Sequence, residues 1–506
     1  MSIFRLGHSF KNSEKVTPMS TVKMGETGYL YKKLHEDFID GHNGTTMSEV
    51  STIAAVSVIA VLLRDSVMIA LSLQTLQVRS KFFLDFVCII LPLILGPTMF
   101  SEHLFIFVTS LVCLIILSIF MSLAKKTEGR NEKYTRSGVF DIDMSEKRPF
   151  INYFRAILNV QTAVVILAVD FTIFPRRYVK TETYGTGSMD VGVGCFIIGN
   201  AIVSPEARGK YKDRRFFSDK VLIIENMIKS SIPLIVLGLL RVLFVKSADY
   251  QEHVSEYGVH WNFFLTLAAV KIISTVILCI LPVTTSSILS VVITVLYQYA
   301  LCRCGLSQYI LNGSDGQGTR YGILDANREG LFSCIGYTAL YFAGVQLGQY
   351  LFIKRTKLHE WLKFLSSLVA MCMLSLCLLW FLSNAVEPVS RRLCNAAYIV
   401  WMIVVNLQMI GGFLFGDILI KLLIYLTQGA KILAKPDIPA CILSAVNYNA
   451  LFYFLLANIL TGLVNISMQT IYTSTFMSFL ILLIYLLLLS FVSMFLYHNK
   501  ILVKSW

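Results

Sequence analysis

The segment DFTIFPRRYVK, residues 170–180, carries the side chains best suited to acid–base chemistry. Asp170 closes the apolar run VVILAV, a boundary position where ionisable groups are costly and usually functional. Lys180 follows closely enough for the chain to fold back and pair the two. A partly buried carboxylate can then act as general base toward a hydroxyl, while the lysine stabilises an oxyanion. The structural alternative is a helix-end carboxylate paired with snorkelling Arg176 and Arg177.

A glycine-rich stretch, GTGSMDVGVG at residues 185–194, comes next. Glycines allow a neighbouring helix or a ligand to approach the backbone closely, and N–H groups at a helix start can hold a phosphate. The Gly-Lys-Ser/Thr of a P-loop is missing. Close helix packing is therefore the favoured interpretation.

The stretch QEHVSEYGVHWNFF, residues 251–264, mixes hydrogen-bond donors, acceptors and aromatic rings. Its candidate site residues are Glu252, His253, His260, Trp261 and Asn262. The spacing differs from HExxH, so no metal site is predicted. A hydrogen-bonding floor for a polyhydroxylated headgroup suits this composition, although the aromatic residues also suit anchoring at a membrane interface.

Arginines stand at the entrances of two later apolar runs, in DANREG (325–330) and SRR (390–392). Arg328, Arg391 and Arg392 are candidate ligands for a lipid phosphodiester, which a guanidinium group can bind with two hydrogen bonds. Snorkelling of each arginine at the interface is the structural alternative.

These segments lie between apolar runs that dominate the chain. Hydrophobic residues make up 56% of the 506 residues and charged residues 15%, with a mean hydropathy of +0.67. Runs of about 20 apolar residues are long enough for membrane helices, and they lack the alternation of a membrane barrel. The sequence predicts an all-α polytopic membrane protein with about 13 transmembrane helices and no soluble domain.

The composition also excludes other classes. The net charge is +13, but the basic residues cluster in a few loops, as in cytoplasmic loops near anionic lipid, so no nucleic-acid partner is predicted. The 11 cysteines fall mostly inside apolar runs and indicate neither a disulfide framework nor a metal site. No cleavable signal peptide is expected in the first 50 residues, which lack an apolar core.

The chain is expected to contain a lumenal N-terminal segment (1–50), one multi-span domain (51–497) and a short cytosolic tail (498–506). The predicted spans are 51–73, 82–99, 103–124, 153–173, 188–204, 221–245, 261–281, 284–303, 331–353, 360–383, 395–415, 448–467 and 473–497. The stretch 395–428 is the least certain, because three glycines there could divide a long helix in two.

Orientation follows from the loops. Lys and Arg concentrate after the third, fifth, ninth and last spans, which predicts a cytosolic C-terminus and a lumenal N-terminus. The loops rich in mixed polar and aromatic residues follow the fourth, sixth, eighth and tenth spans. By parity they share one face, which predicts a single active site on the lumenal side.

In their order and residue identities, the motifs resemble those of the inositol acyltransferase family of GPI-anchor biosynthesis. This family includes the animal class W proteins and the fungal GPI-anchored wall transfer proteins. The resemblance rests on NGTT from Asn43, ILAVDFTIFPRRYVKTETYGTGSMDVGVG, YQEHVSEYGVHWNFF, NREG, VSRRLCN and LLANILTGLVNISM. It extends over nearly the whole chain. The GSDGQGTR stretch and the terminal Trp506 resemble the animal branch.

The resemblance implies transfer of a fatty acyl group, palmitoyl-type, from acyl-CoA to the inositol 2-hydroxyl of glucosaminyl-phosphatidylinositol in the endoplasmic reticulum membrane. It implies that Asp170 and Lys180 are the catalytic pair, with acyl-CoA (palmitoyl-CoA) as co-substrate, no permanently bound cofactor, and membrane lipids as surroundings. The expected substrate-binding residues are Arg176, Arg177, Glu252, His253, His260, Trp261, Asn262, Asn327, Arg328, Arg391 and Arg392. Thr172 stands where the family usually has proline, and YVK replaces the usual FAK.

Two other functions remain open at this stage. A lipid or solute transporter is compatible with the charged residues inside apolar runs, such as Asp65, Glu225, Lys229 and Lys271, although no inverted repeat is visible. A histidine-dependent membrane-bound O-acyltransferase would use His253 or His260 as its base.

Overall fold

The computed structural model describes residues 41–73, 77–125, 149–210, 217–247, 254–428 and 441–503, together with residues 31, 33–35 and 38. Within these residues the regular structure is helical, apart from one isolated β-bridge between Gly44 and Thr186. The predicted all-α class is confirmed.

The helices are numbered in chain order. They are α1 (Met47–Ala70), α2 (Val78–Asp85), α3 (Leu91–Leu95), α4 (Leu104–Ala124), α5 (Pro149–Ala168), α6 (Val191–Ile202), α7 (Phe217–Ser247), α8 (Val254–Tyr257), α9 (Phe263–Ile280), α10 (Ser286–Arg303), α11 (Leu306–Asn312), α12 (Gly322–Ala326), α13 (Arg328–Phe352), α14 (Leu358–Ala385), α15 (Ala396–Gln428), α16 (Ile442–Tyr448), α17 (Ala450–Ser467) and α18 (Thr475–His498).

Of the helices in the described chain, 11 are long and apolar enough to cross a membrane: α1, α4, α5, α7, α9, α10, α13, α14, α15, α17 and α18. Each overlaps one predicted span. The uncertain stretch 395–428 is a single helix, α15.

The two remaining predicted spans do not form long helices in the structure. Span 82–99 falls on α2, a π-helical turn at Phe86–Ile90, and α3. Span 188–204 falls on α6, which has only 12 residues. At 1.5 Å per residue, α6 rises about 18 Å, well short of a hydrocarbon core of about 30 Å. The loop before α6 is therefore sunk into the bundle, where surrounding protein must satisfy its backbone.

Helices α5 and α13 lie near the centre of the bundle, whereas α14 and α17 lie outside. Close packing at the centre depends on small residues. A Cβ added at Gly344 of α13 would stand 2.7 Å from the Cβ of Ala201 on α6. This contact holds α6 against α13, and α6 begins directly after the loop that carries Lys180.

The polar loops meet at one end of the bundle, which we call the loop end. The backbone hydrogen bonds that join them include Thr45 N–H to Thr186 O (2.7 Å), Gly185 N–H to Val389 O (2.9 Å) and Val259 N–H to Ala326 O (2.9 Å). The prediction that these loops share one face is confirmed. The compartment that this face meets stays a prediction.

Candidate active site

Lys180 lies in the loop between α5 and α6 and forms an ion pair with Glu256 of the one-turn helix α8. The Nζ of Lys180 donates to Oε2 of Glu256 over 2.5 Å. The Glu256 side chain is 9% exposed, and its other oxygen faces a guanidinium nitrogen of Arg391 at 3.4 Å. Burial alone would raise the pKa of Glu256, but Lys180 and Arg391 outweigh it and hold the pKa at about 2. Glu256 is thus ionised at neutral pH, where it fixes the lysine and is too weak a base to take a proton from a hydroxyl.

A second carboxylate, Asp190, holds the other side of this network. Arg391 Nε donates to its Oδ1 over 2.8 Å. Asp190 is fully buried and also accepts hydrogen bonds from the Thr181 N–H and hydroxyl and from the Gly187 N–H. Thr181 follows Lys180 directly, so these bonds fix the backbone that carries the lysine. Removing Arg391 would leave the buried charge of Asp190 without its ionic partner.

Gly185 and Gly187 close the same loop tightly. Gly185 has a φ of +126°, and a Cβ there would stand 2.3 Å from the carbonyl oxygen of Asn43. A Cβ at Gly187 would stand 2.2 Å from the carbonyl oxygen of Val179. These two glycines therefore serve close packing of loop backbone, whereas the predicted close helix packing is found at Gly194 of α6, where a Cβ would stand 2.4 Å from the Met402 side chain of α15.

Asp170 follows α5 and is buried, with 4% of its surface exposed. Asn465 of α17 donates to its Oδ2 over 2.8 Å, and His35 Nε2 lies 3.5 Å from its Oδ1. Within the described chain no ion pair joins Asp170 to Lys180. The expected direct pairing is wrong, because the 3₁₀ turn at Arg176–Tyr178 separates the two residues and Lys180 turns toward Glu256.

Arg176 holds the segment around Asp170. Its guanidinium group donates to the carbonyl oxygens of Val169 (3.0 Å), Phe171 (3.0 Å) and Phe174 (2.7 and 3.1 Å). It also stacks over the Phe38 ring, 3.9 Å from the centroid. Burial lowers the pKa of Arg176 to about 10, so it remains a cation at neutral pH. Because it binds the carbonyls on both sides of Asp170, Arg176 is a positioning residue in this geometry.

Arg177 tethers the loop to α1 and to the turn before α4. It pairs with Glu49 at 3.1 Å and with Glu102 at 2.6 Å. The hydroxyl of Tyr178 also donates to Glu49, over 2.5 Å. The structural alternative, in which these arginines pair with Asp170, is wrong in the described chain, because Arg176 binds backbone carbonyl oxygens and Arg177 binds Glu49 and Glu102.

The arginines predicted to bind a lipid phosphate are paired with carboxylates of the protein instead. Arg328 is 1% exposed and bonds to the carboxylate of Asp325 at 3.1 Å and to backbone carbonyls. Arg392 donates to the fully buried Glu329 over 2.8 Å, and Arg320 binds the same carboxylate oxygen at 2.7 Å. Arg391 bridges Asp190 and Glu256, as described above. The geometry therefore gives no support to a phosphate clamp built from these arginines.

Two of the predicted residues in the stretch 251–264, Glu252 and His253, lie outside the described residues. His260 is exposed, and its backbone N–H donates to the side chain of Asn327 over 2.7 Å. Asn327 in turn donates to the Ile323 carbonyl oxygen. His260 and Asn327 thus join the α8–α9 and α12–α13 connections to each other.

Trp261 and Asn262 support the start of α9. The indole N–H of Trp261 donates to Thr266 Oγ1 over 3.0 Å. Asn262 is the N-cap, because its side-chain oxygen accepts from two N–H groups of the first turn, and its amide donates to the Gly238 carbonyl oxygen of α7. Trp261 and Asn262 were predicted to offer hydrogen bonds to a headgroup, but their hydrogen bonds join parts of the protein to each other.

Lys180 and Glu256 line a cavity of about 210 Å³ that lies mainly between α1, α5, α6, α15 and α17. Its walls are largely apolar and include Ile53, Val165 and Met409. Lys180 and Glu256 belong to the loop end, and Arg241 of α7 adds a third charged group to the lining. An ammonium group fixed beside an apolar cavity suits a substrate with a polar reacting centre and a long hydrocarbon chain.

A second cavity, of about 790 Å³, adjoins the first away from the loop end. It is more polar, and the charged side chains in its described lining are the cationic Arg155, Lys210 and Lys271 and the anionic Glu206. The two cavities share four lining residues: Leu158, Phe196, Phe263 and Phe454. The ring centroids of Phe196, Phe263 and Phe454 lie 5.5 to 5.9 Å apart, so the three rings pack against one another between the two cavities.

Sequence reasoning missed three residues that the fold brings to the candidate pair. Glu256 lies in a stretch that was recognised as polar, so only its role was missed. His35 and Asn465 contact Asp170 from remote segments, and Asn465 lies 295 positions away in the chain. No local sequence pattern predicts such contacts.

Comparison with known proteins gives a consistent result. A family model described as GWT1 matches residues 31–496. A Bos taurus protein named glucosaminyl-phosphatidylinositol-acyltransferase PIGW is 38% identical, over 88% of this chain and 93% of its own length. Its Homo sapiens counterpart of the same name is 34% identical, over 94% and 99%. GPI-anchored wall transfer protein 1 of Saccharomyces cerevisiae is 32% identical, over 94% and 99%.

Proposed function

The chain belongs to the GWT1 family, and we propose that it transfers a fatty acyl group from acyl-CoA to the inositol 2-hydroxyl of glucosaminyl-phosphatidylinositol. It is an acyltransferase of GPI-anchor biosynthesis, as relatives with that name match over most of both chains. The observation that carries the finer proposal is the apolar cavity that holds Lys180 beside Glu256.

The acyl chain lies in the apolar cavity, between α1, α5 and α15. Burial of hydrocarbon contributes about 0.8 kcal/mol for each CH₂ group removed from water. The cavity wall there consists of side chains such as Ile53, Val165 and Met409. Such a wall supplies affinity for a long chain and little discrimination between similar lengths.

The CoA moiety occupies the larger, polar cavity. Its phosphates match the cationic side chains of Arg155, Lys210 and Lys271. The pantetheine arm passes between the rings of Phe196, Phe263 and Phe454, which separate to admit it, and presents the thioester to Lys180. Acyl-CoA thus enters from the end of the bundle opposite the loop end.

The reaction is a direct acyl transfer. Asp170 takes the proton of the inositol 2-hydroxyl as that oxygen attacks the thioester carbonyl carbon. The Lys180 ammonium group stabilises the tetrahedral oxyanion, the C–S bond then breaks, and CoA leaves as a thiolate that takes up a proton. Because Asp170 and Lys180 belong to separate hydrogen-bond networks, the inositol ring lies between them rather than displacing one from the other.

The protein resides in the endoplasmic reticulum membrane with its loop end in the lumen and its C-terminus in the cytosol. Basic residues described after α6 and α13 support this orientation, because they lie at the end opposite the loop end: Arg208, Lys210, Lys354, Arg355 and Lys357. The same orientation lets cytosolic acyl-CoA reach the polar cavity while the glycolipid headgroup reaches Asp170.

The test is acyl transfer by purified full-length protein in lipid nanodiscs, with palmitoyl-CoA and glucosaminyl-phosphatidylinositol. Mass spectrometry should show an acylated inositol together with one free CoA thiol per product. The Lys180→Ala protein, handled in parallel, serves as the matched control. A folded wild-type protein that moves the glycolipid between leaflets without acylating it would overturn the proposal and favour a transporter.

The histidine-dependent alternative would use His253 or His260 as its base. His253 lies outside the described residues, whereas the side chain of His260 is exposed and its backbone N–H donates to Asn327. The comparison of His260→Ala with Asp170→Asn in the same assay would reveal a histidine base directly.

A further inference from the structure

The chain before α1 crosses the loop end, and we infer that its His35 is a positioning residue for Asp170. This inference rests on the proposed function, in which Asp170 is the base. We call residues 31–46 the N-terminal strap, of which Tyr31, residues 33–35, Phe38 and residues 41–46 are described.

The strap is fastened on both sides of His35. At its start, the Tyr31 ring stacks on the His35 ring at 6.0 Å, and the Tyr31 hydroxyl lies 3.3 Å from Thr470 Oγ1. Further along, the Phe38 ring lies under the guanidinium group of Arg176. These contacts hold the strap directly over the segment that carries Asp170.

The strap continues to the loop that carries Lys180. The Thr45 N–H donates to the Thr186 carbonyl oxygen over 2.7 Å, and the Thr186 hydroxyl donates back to the Thr45 carbonyl oxygen over 2.6 Å. The Glu182 N–H donates to the His42 carbonyl oxygen. One short segment therefore touches the surroundings of both candidate catalytic side chains.

His35 and Asp170 meet inside this arrangement. His35 Nε2 stands 3.5 Å from Asp170 Oδ1, and the two side chains are only 8% and 5% exposed. Asn465 occupies the other carboxylate oxygen, and Arg176 holds the carbonyls of the neighbouring residues. Each Asp170 oxygen thus faces a partner from a different part of the chain, which fixes the orientation of the carboxylate.

A carboxylate in such a buried place is costly unless polar partners compensate it. His35 places its Nε2 on the side that Asn465 leaves open, at ion-pair distance from the carboxylate when the imidazole is protonated. Without His35 the carboxylate can rotate away from the position where it meets the inositol hydroxyl. Misplacement by about 1 Å costs on the order of 10²-fold in rate.

The test compares four full-length proteins: wild type, His35→Ala, His35→Lys and Leu34→Ala. Leu34 is the matched control, because it neighbours His35 on the strap and is 43% exposed. We expect His35→Ala to lower kcat roughly 10²-fold with the KM for acyl-CoA unchanged, because none of the described strap residues lines the acyl cavity. His35→Lys, which places a cation there, should recover most of the loss, and Leu34→Ala should match the wild type.

Wild-type kcat in His35→Ala, or equal impairment in the Ala and Lys variants, would overturn the inference. If the alanine variant fails to accumulate, His35→Gln and His35→Lys are compared on the same readouts. A double-mutant cycle of His35→Ala and Asp170→Asn in thermal unfolding tests the contact without relying on activity. Additive effects would contradict the contact, whereas an inactive wild type with a non-additive cycle would contradict only the proposed function.

Discussion

Lys180 and Glu256 form an ion pair over 2.5 Å although 76 positions separate them in the chain. The pair joins the loop before α6 to the one-turn helix before α9 and directs the ammonium group toward an apolar cavity. Arg391 and Asp190 extend the pair into a four-residue network of alternating charge. A cation held in place before the reaction starts can stabilise a developing oxyanion without the cost of reorganising at that moment.

Replacement of Lys180 should abolish most of the activity. Removing one oxyanion-stabilising donor typically costs about 10²–10³-fold in kcat, so we expect a loss of that size for Lys180→Ala. Lys180→Arg keeps the charge but not its shape and reach, and should be intermediate. The measurement is kcat for acyl transfer, with the exposed Lys363→Ala as control. A Lys180→Ala protein with normal turnover would remove the lysine from the mechanism.

Glu256→Gln should impair the enzyme through Lys180 and change its response to acid. The folded pKa of Glu256, about 2, lies below the ordinary value of 4.5, so its ionised form stabilises the fold above pH 4.5. That contribution is lost as the pH falls from 4.5 toward 2. Melting temperatures measured across this range should fall less steeply for Glu256→Gln than for wild type. Parallel curves would mean that the carboxylate does not depend on its cationic partners.

Asp170→Asn should stop inositol acylation while the protein still inserts and accumulates. Loss of a general base costs roughly 10²–10⁴-fold in rate. The exposed Asp315→Asn, also at the loop end, is a control for removal of a carboxylate. Acyl transfer and protein level are measured together. Near-normal turnover in Asp170→Asn would show that another group takes the proton.

Gly192→Leu should shift the preference toward shorter acyl chains. Gly192 lines the apolar cavity, and in the described chain no heavy atom lies within 4 Å of where its Cβ would stand. A leucine there can project into the cavity without displacing a neighbour. Gly411→Leu is a matched control, because Gly411 is equally open but does not line the cavity. The ratio of kcat/KM for palmitoyl-CoA to that for a shorter acyl-CoA should fall only in Gly192→Leu.

The termini should lie on opposite sides of the membrane. Tags at the two ends, probed with protease in sealed microsomes, should be protected at the N-terminus and cleaved at the C-terminus. The exposed Asn312 begins the sequon Asn-Gly-Ser at the loop end, so it should be on the protected side. Protection or cleavage of both tags would contradict the orientation from which cytosolic acyl-CoA entry was deduced.

Much of the architecture could be predicted from the sequence, because it depends on local properties. A run of about 20 apolar residues has to become a membrane helix wherever it lies, since its backbone has no other partner in lipid. The predicted span 395–415 became part of α15, and the loops around Lys180, Glu256 and Arg391 were placed on one face by counting spans. Length and periodicity were less informative for α6, where glycines and close packing leave a helix of 12 residues.

Only part of the site could be predicted, because only part of it depends on local properties of the sequence. Asp170 and Lys180 stand out because charged side chains at the end of an apolar run are unusual, and that is visible locally. Their partners are not local. Glu256, His35 and Asn465 reach them from separate segments, and any pairing of such distant residues depends on how the helices pack. Sequence by itself thus determined a membrane bundle with one polar end. The tertiary structure alone decided that Asp170 and Lys180 would belong to different networks. Burial forces each charge to take the nearest partner that the packing of the helices supplies.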